Sequence, residues 1–295
     1  MIGGELFGRL LGVFFPIFAI VAVGFWYGRK HKPEMAAANR INMDIFIPAV
    51  VFAAMAGKSF DVQAYLPLAL GAFVLLAVCG ALAWPLARLI GVQPKTLVPP
   101  MTFNNSGNIG LPLAMLAWGE AAMPAAVIMF VVENIFHFTV GARLLDPKAK
   151  VLPLWRMPVV FASFAGLAVA LLQIPLWQPA LTGIKMLGDI SIPLMLFSLG
   201  VRMTEVSFTE WKLALGSAVV RPLVGMALAW GLVHALDLGT REAAMLIVFG
   251  ALPPAVLNFM FAERYNQEPQ RVASIVLIGN LAALVLLPLA LALVL

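Results

Sequence analysis

The sequence predicts an all-α integral membrane protein of ten transmembrane helices, built as two inverted repeats of five in which the fourth helix of each repeat is broken. Three observations carry this. A chain of 295 residues that is 62% hydrophobic and 11% charged, with a mean hydropathy of +0.99, cannot give a soluble domain enough polar surface. Ten apolar stretches are long enough to cross about 30 Å of hydrocarbon, which takes roughly 20 helical residues. The second half also repeats the first: Asp44-Ile45-Phe46-Ile47-Pro48 with Phe52 returns as Asp189-Ile190-Ser191-Ile192-Pro193 with Phe197, Trp84, Leu86 and Lys95 return as Trp230, Leu232 and Arg241, and Asn134 returns as Asn280.

The expected spans lie near residues 7-28, 36-57, 64-87, 96-118, 122-142, 157-174, 179-201, 211-235, 242-264 and 271-294. The first is a span and not a cleaved leader, because its basic cluster follows the apolar run and no small-residue cleavage site appears. Spans 2 and 7 each carry an aspartate four residues before a mid-helix proline. Span 3 holds the lone Cys79, so neither a disulfide nor a thiolate metal cluster is available. No hydrophilic stretch is long enough for a soluble domain, and residues 1-145 and 146-295 form the two repeats of one membrane domain.

An odd number of spans per repeat inserts the second copy upside down relative to the first. The loop charges agree. Arg29, Lys30, Lys32, Arg40, Arg88, Lys95, Arg143, Lys148, Lys150, Arg156, Arg202, Lys212, Arg264 and Arg271 follow odd-numbered spans, against Arg9, Lys58, Lys185 and Arg241 on the other side. By the positive-inside rule both termini face outward. The net charge of +5 thus records topology and implies no nucleic-acid partner, because the basic residues are dispersed over short loops without stacking aromatics.

Span 4 contains Phe103-Asn104-Asn105-Ser106-Gly107-Asn108-Ile109-Gly110-Leu111-Pro112. Asparagine and glycine favour turns, and Pro112 suits the first turn of a new helix, so the span breaks about 14 Å in, near the bilayer midplane. Span 9 breaks equivalently at Gly250-Ala251-Leu252-Pro253-Pro254, followed by Asn258. Unwound backbone at that depth persists only where protein or water satisfies it, so both breaks are expected to line one central cavity. Half-helix N-termini there suit a carboxylate, and unwound carbonyls and Asn side chains suit a cation. A plain kink would not require Asn104, Asn105, Ser106 and Asn108 together.

The string Asn105-Ser106-Gly107-Asn108-Ile109-Gly110-Leu111-Pro112, the proline-containing second span, and the Pro253-Pro254 break leading to Ala262-Glu263-Arg264-Tyr265 resemble the auxin efflux carrier family, including its bacterial malonate and malate permeases. The likeness covers essentially the whole chain. It implies a scaffold and a transport domain, broken helices that cross, and movement of small organic anions. By position it places the crossover at Asn105, Ser106, Gly107, Asn108, Pro112, Pro253 and Pro254. The long loop of the plant carriers is missing, which favours the short bacterial branch and a bacterial inner membrane.

Two ionisable residues fall near the midplane, Arg221 in span 8 and Glu133 in span 5. A charge there costs at least about 2.5 kcal/mol, so each needs an interior partner. Arg221 could fork a substrate carboxylate and Glu133 could take a coupling proton or cation, or the two could pair with each other or with backbone carbonyls. Asp44 and Asp189 occupy matching positions, which argues for a shared structural task, such as capping carbonyls freed by the following proline. Candidates for coupling are therefore Glu133, Asn134, Asn280, Asp44 and Asp189. His137 and His234 fall toward helix ends, and His31 belongs to a basic loop.

No nucleophile with a base and no metal cluster is offered, so an enzyme is not expected. A secondary carrier of a mono- or dicarboxylate is expected. The alternatives are a sodium-coupled symporter of the bile acid type, a sodium/proton antiporter and, behind both, a channel. No organic cofactor is expected, and the coupling ion is Na+ or H+. Expected partners are the small organic anion and the lipid bilayer, with a second copy of the chain as a further candidate.

Overall fold

The fold is that of a computed structural model, which describes residues 2-56, 62-149, 156-205 and 210-295. The expected loop residues Lys58 and Lys150 lie outside these. The described residues are helical throughout, and their β-pairing is a single bridge, between Asn104 and Pro254. Among the described residues, seven helical stretches are long and apolar enough to cross a membrane: Gly4–His31, Ala36–Met55, Gln63–Leu89, Glu120–Leu145, Gln178–Arg202, Trp211–Leu236 and Pro269–Ala292.

Helix α1 spans Ile2–His31, with Arg29, Lys30 and His31 at its carbonyl end, where cations complement the helix dipole. The second stretch is α2 (Ala36–Ile41), a π-helical turn over Asn42–Phe46 and α3 (Ile47–Met55). Its wide turn has a local cause. Pro48 has no N–H for the carbonyl of Asp44, and the ladder widens so that Ile47 N–H bonds to Asn42 O. Helix α4 covers Val62–Leu89.

The fourth and ninth expected spans are interrupted. Helix α5 (Pro94–Thr102) ends at an extended Phe103, and helical structure resumes as a π turn over Ser106–Gly110 that runs into α6 (Leu111–Trp118). The second half therefore starts six residues before Pro112, which sits one turn inside. Helix α12 (Thr240–Ala251) stops at an extended Leu252, and α13 (Leu257–Arg264) follows Pro253 and Pro254. Between the interrupted spans lie α7 (Met123–Phe136), a π turn over His137–Gly141, α8 (Ala142–Leu145), α9 (Pro158–Leu171), α10 (Gln178–Arg202) and α11 (Trp211–Leu236). Helix α14 (Pro269–Ala292) closes the fold. At 14 residues, α9 is about 21 Å long, less than a straight crossing needs.

Helix α10 packs along α1 and α3, and α3 along α9. Separately, α4 packs on α5 and α7, and α11 on α12 and α14. Both groups rely on glycine to bring backbones together, as membrane helices do where no hydrophobic force drives them into contact. A Cβ on Gly24 would strike the carbonyl of Phe197, and one on Gly200 the carbonyl of Val21. Gly225 of α11 and Gly250 of α12 likewise press against each other's carbonyls.

That last contact is testable. Gly225→Ala is expected to lower the thermal stability of the detergent-solubilised protein by about 1 to 3 kcal/mol through overpacking, whereas Gly216→Ala on the same helix, which meets open space, leaves it unchanged. Equal melting temperatures for the two variants would show that α11 and α12 are not held at that glycine pair.

Candidate functional site

The two breaks meet. Asn105 N–H donates to Pro253 O at 2.7 Å and Ala255 N–H donates to Phe103 O at 3.0 Å. The chemistry of the two segments is complementary. Pro253 and Pro254 supply carbonyls without N–H groups, and asparagine side chains supply two donors each. Accordingly Asn104 Nδ2 donates to Phe249 O at 2.9 Å, Asn258 Nδ2 to Phe103 O at 3.0 Å, and Asn280 Nδ2 to Pro254 O at 2.9 Å. Asn105 Nδ2 reaches Asn280 Oδ1 at 2.7 Å, so α14 is tied into the same knot. Asn134 and Asn280 share one further habit, each donating to the carbonyl one turn back, Phe130 O and Val276 O.

Arg221 and Glu133 do not pair with each other's side chains here. Arg221 Nη1 donates to Gly250 O at 3.2 Å and to Leu252 O, the carbonyls that α12 leaves open where it stops. Glu133 accepts from Ser106 Oγ, and the backbone N–H groups of Asn104 and Ser106 face its carboxylate. Each break thus receives the side chain that its exposed backbone dipoles favour, a donor at a helix C-terminus and an acceptor at a helix N-terminus.

On one side of this knot opens a cavity of about 430 Å³. Asn104, Asn105, Ser106, Gly107 and Asn108 form its floor, and Phe130, Glu133, Asn134 and His137 one wall, at the i, i+3, i+4, i+7 spacing of a single helix face. Asn39, Arg40 and Asn42 of the second stretch and Ser198 and Arg202 of α10 form another. Ser198 Oγ donates to Asn39 Oδ1 at 2.8 Å and fixes α10 against α2. Among the described residues, the buried atoms Asn42 Oδ1, Asn104 Oδ1 and His137 Nε2 have no hydrogen-bond partner, and all three side chains line the cavity.

A separate space of only about 20 Å³ lies between Ser106, Gly110, Trp118, Met129, Met245 and Phe249, room for little more than one water. Arg221, Pro253, Pro254 and Gly279 border a third space of about 10 Å³.

Of the residues expected from sequence, the cavity gathers Asn104, Asn105, Ser106, Gly107, Asn108, Glu133 and Asn134. Pro112, Pro253, Pro254, Asn258, Asn280 and Arg221 stand outside its lining. Asp44 and Asp189 are exposed on their helices.

The family model described as membrane transport protein matches residues 10–155 and 149–291. The chain belongs to this family. A protein of Rhizobium meliloti (strain 1021) named "Putative malonate transporter" is similar at 25% identity over 92% of each chain. An uncharacterized transporter of Escherichia coli (strain K12), YfdV, is 21% identical over 87% of this chain and 88% of its own. Auxin efflux carrier component 3a of Oryza sativa subsp. japonica is 31% identical over 56% of this chain and 26% of its own length. The protein is therefore a multi-pass membrane transporter.

Sequence reasoning missed several of this transporter's cavity residues. His137 looked interfacial but is 2% exposed, stacked on Phe103 with centroids 4.0 Å apart; its spacing of four from Glu133 was the available signal. Asn39, Arg40, Asn42, Ser198 and Arg202 carry no repeat partner or motif. They reach the site only because α2 and the end of α10 pack there.

Arg221→Met keeps bulk but removes both donors from Gly250 O and Leu252 O. The empty protein is expected to lose about 2 to 6 kcal/mol, at roughly 1 to 3 per stranded carbonyl, in thermal unfolding, with Arg221→Lys falling between. Unchanged unfolding of Arg221→Met would mean that these carbonyls find other donors.

Proposed function

We propose that this transporter is a secondary carrier of small organic anions, mono- or dicarboxylates, that works by alternating access around the paired breaks. The observation that carries the proposal is the amide-floored cavity of about 430 Å³, open on one side of the breaks. Carriers bind cargo where unwound half-helices meet and expose the site to one side at a time. Likeness to a protein named for malonate supports a carboxylate cargo.

The proposal includes ten spans, with α5 and α6 forming the fourth, α9 the sixth, and α12 and α13 the ninth, in two inverted repeats over 1-145 and 146-295. The glycine-packed group of α1, α3, α9 and α10 would serve as scaffold, and the group holding the breaks would move against it. Both termini face the side opposite the basic loops, and the cavity opens toward those loops. Coupling to Na+ or H+ has support in the same place, since Glu133 and the unpartnered amide oxygens of Asn42 and Asn104 are acceptors for a cation or proton. That observation also keeps a sodium-coupled symporter of the bile acid type, or a sodium/proton antiporter, as the second reading.

Thermal shift of the purified protein against a panel of mono- and dicarboxylates, with and without sodium and at two pH values, tests cargo and coupling together. Stabilisation by a carboxylate is expected, since a ligand that binds only the folded state at 100 times its Kd adds about 2.7 kcal/mol. Asn108→Ala should abolish that shift while the empty carrier keeps its stability, because water can serve the groups left behind. Full stabilisation retained in both Asn105→Ala and Asn108→Ala would remove the breaks from the binding site.

Topology is checked separately by single cysteines in whole cells. Cysteines at Lys32 and Lys148 should be shielded from impermeant thiol reagents and one at Lys58 should react. Labelling at Lys148 from outside would overturn the orientation.

A further inference from the structure

Away from the breaks, the outer surface holds a groove of about 760 Å³, larger than the central cavity. Phe18, Val21, Ala22, Phe25 and Arg29 of α1 line one side of it, at the spacing of a single helix face. Leu281 and Leu284 of α14 line the other. The end of α10 borders it through Met203 and Thr204, and Thr204 lies against Gly28, so α10 meets the groove at its Arg29 end. Ala22, Phe25 and Leu281 are exposed on helices of membrane-crossing length, so the groove faces lipid.

Its length and its polarity identify the occupant. From Phe18 to Arg29 the α1 face runs about 17 Å at 1.5 Å per residue, close to one leaflet of a hydrocarbon core about 30 Å thick. The lining is apolar along this length apart from Thr204, whose Oγ1 already donates to Val201 O at 2.7 Å. Only the Arg29 end carries charge. Its guanidinium carbon lies 6.0 Å from the centroid of the Phe25 ring, and it enters no ion pair among the described residues. An apolar slot one leaflet deep with a cation at head-group level complements a phospholipid with an anionic head, as basic pockets between membrane helices do. We infer that this groove seats one anionic phospholipid, with its phosphate on Arg29 and one acyl chain between α1 and α14. The seat joins parts of the fold that are otherwise held separately, because Leu281 follows Asn280, whose amide donates to Pro254 O at 2.9 Å in the paired breaks, whereas α1 is packed on α10.

Native mass spectrometry of the purified protein, released from micelles containing dioleoyl-phosphatidylglycerol or dioleoyl-phosphatidylcholine, tests the seat. The wild type should retain one phosphatidylglycerol about fivefold more tightly than phosphatidylcholine, equivalent to about 1 kcal/mol for one interfacial cation. Its melting temperature should also rise further with phosphatidylglycerol, because a ligand of the folded state stabilises that state. Arg29→Gln should bring the two lipids level, and Arg29→Lys, which keeps the charge, should hold most of the preference. Lys30→Gln should leave the preference unchanged, since Lys30 lies over Trp26 at 5.5 Å and outside the groove lining. Ala22→Trp puts an indole into the groove and should displace the lipid. Thermal unfolding checks that this variant is folded, and if it is not, Arg29→Gln at its exposed position decides. Equal retention of the two lipids by the wild type overturns the seat. An equal loss of preference in Arg29→Gln and Lys30→Gln also overturns it, because that is the general attraction of a basic face for anionic lipid. A folded Ala22→Trp that retains phosphatidylglycerol like the wild type does the same. Disulfide-linked dimers of Ala22→Cys in native membranes would place a second copy of the chain over the groove and overturn the lipid.

Discussion

Unwound backbone inside an apolar chain has to find hydrogen-bond partners within the protein, and most of the functional region follows from how this chain meets that requirement. A peptide group stranded in hydrocarbon costs several kcal/mol, and two interruptions strand many. Here the two breaks satisfy each other first, through the Asn105 to Pro253 and Ala255 to Phe103 hydrogen bonds, and the side-chain amides of Asn104, Asn258 and Asn280 then cover carbonyls that remain. The prolines and asparagines are two halves of one device, since the former remove donors and the latter supply them.

Charge is distributed by the same logic. Where α12 ends, its open carbonyls draw the Arg221 guanidinium, and where the second half of the fourth span begins, its N–H groups draw the Glu133 carboxylate. Arg221 thus sits against open carbonyls and Glu133 against open N–H groups, so each side chain meets the backbone dipole that complements it without a direct ion pair between the two. The consequence for function is that the knot is electrostatically closed on itself. Among the described residues, the cavity above it retains the unpartnered amide oxygens of Asn42 and Asn104 and the imidazole nitrogen of His137 as its chemistry.

The packing around the knot rests on close glycine contacts in two places. Gly24 and Gly200 lock α1 to α10, and Gly225 and Gly250 lock α11 to α12, backbone against backbone. The cavity opens between these groups, with walls from α2 and α10 on one side and from α7 and the fourth span on the other.

The sequence by itself determined the solvent and the weak points of the chain. Its composition required a membrane, and the Asn-Ser-Gly-Asn string and the Pro-Pro pair marked the two places where a helix cannot continue, because those residues disfavour helix whatever surrounds them. The same string resembled the family to which the chain belongs, and its residues form the cavity floor. Tertiary structure decided the rest. That Pro112 would lie a turn inside its helix, that Arg221 would turn to carbonyls and Glu133 to a helix start, and that His137 would be buried against Phe103 all depend on which helices meet. Asn39, Asn42, Ser198 and Arg202 became cavity residues for the same reason: a polar side chain on an apolar helix has many faces to choose from, and only the packing of α2, α7 and α10 around the breaks selects one.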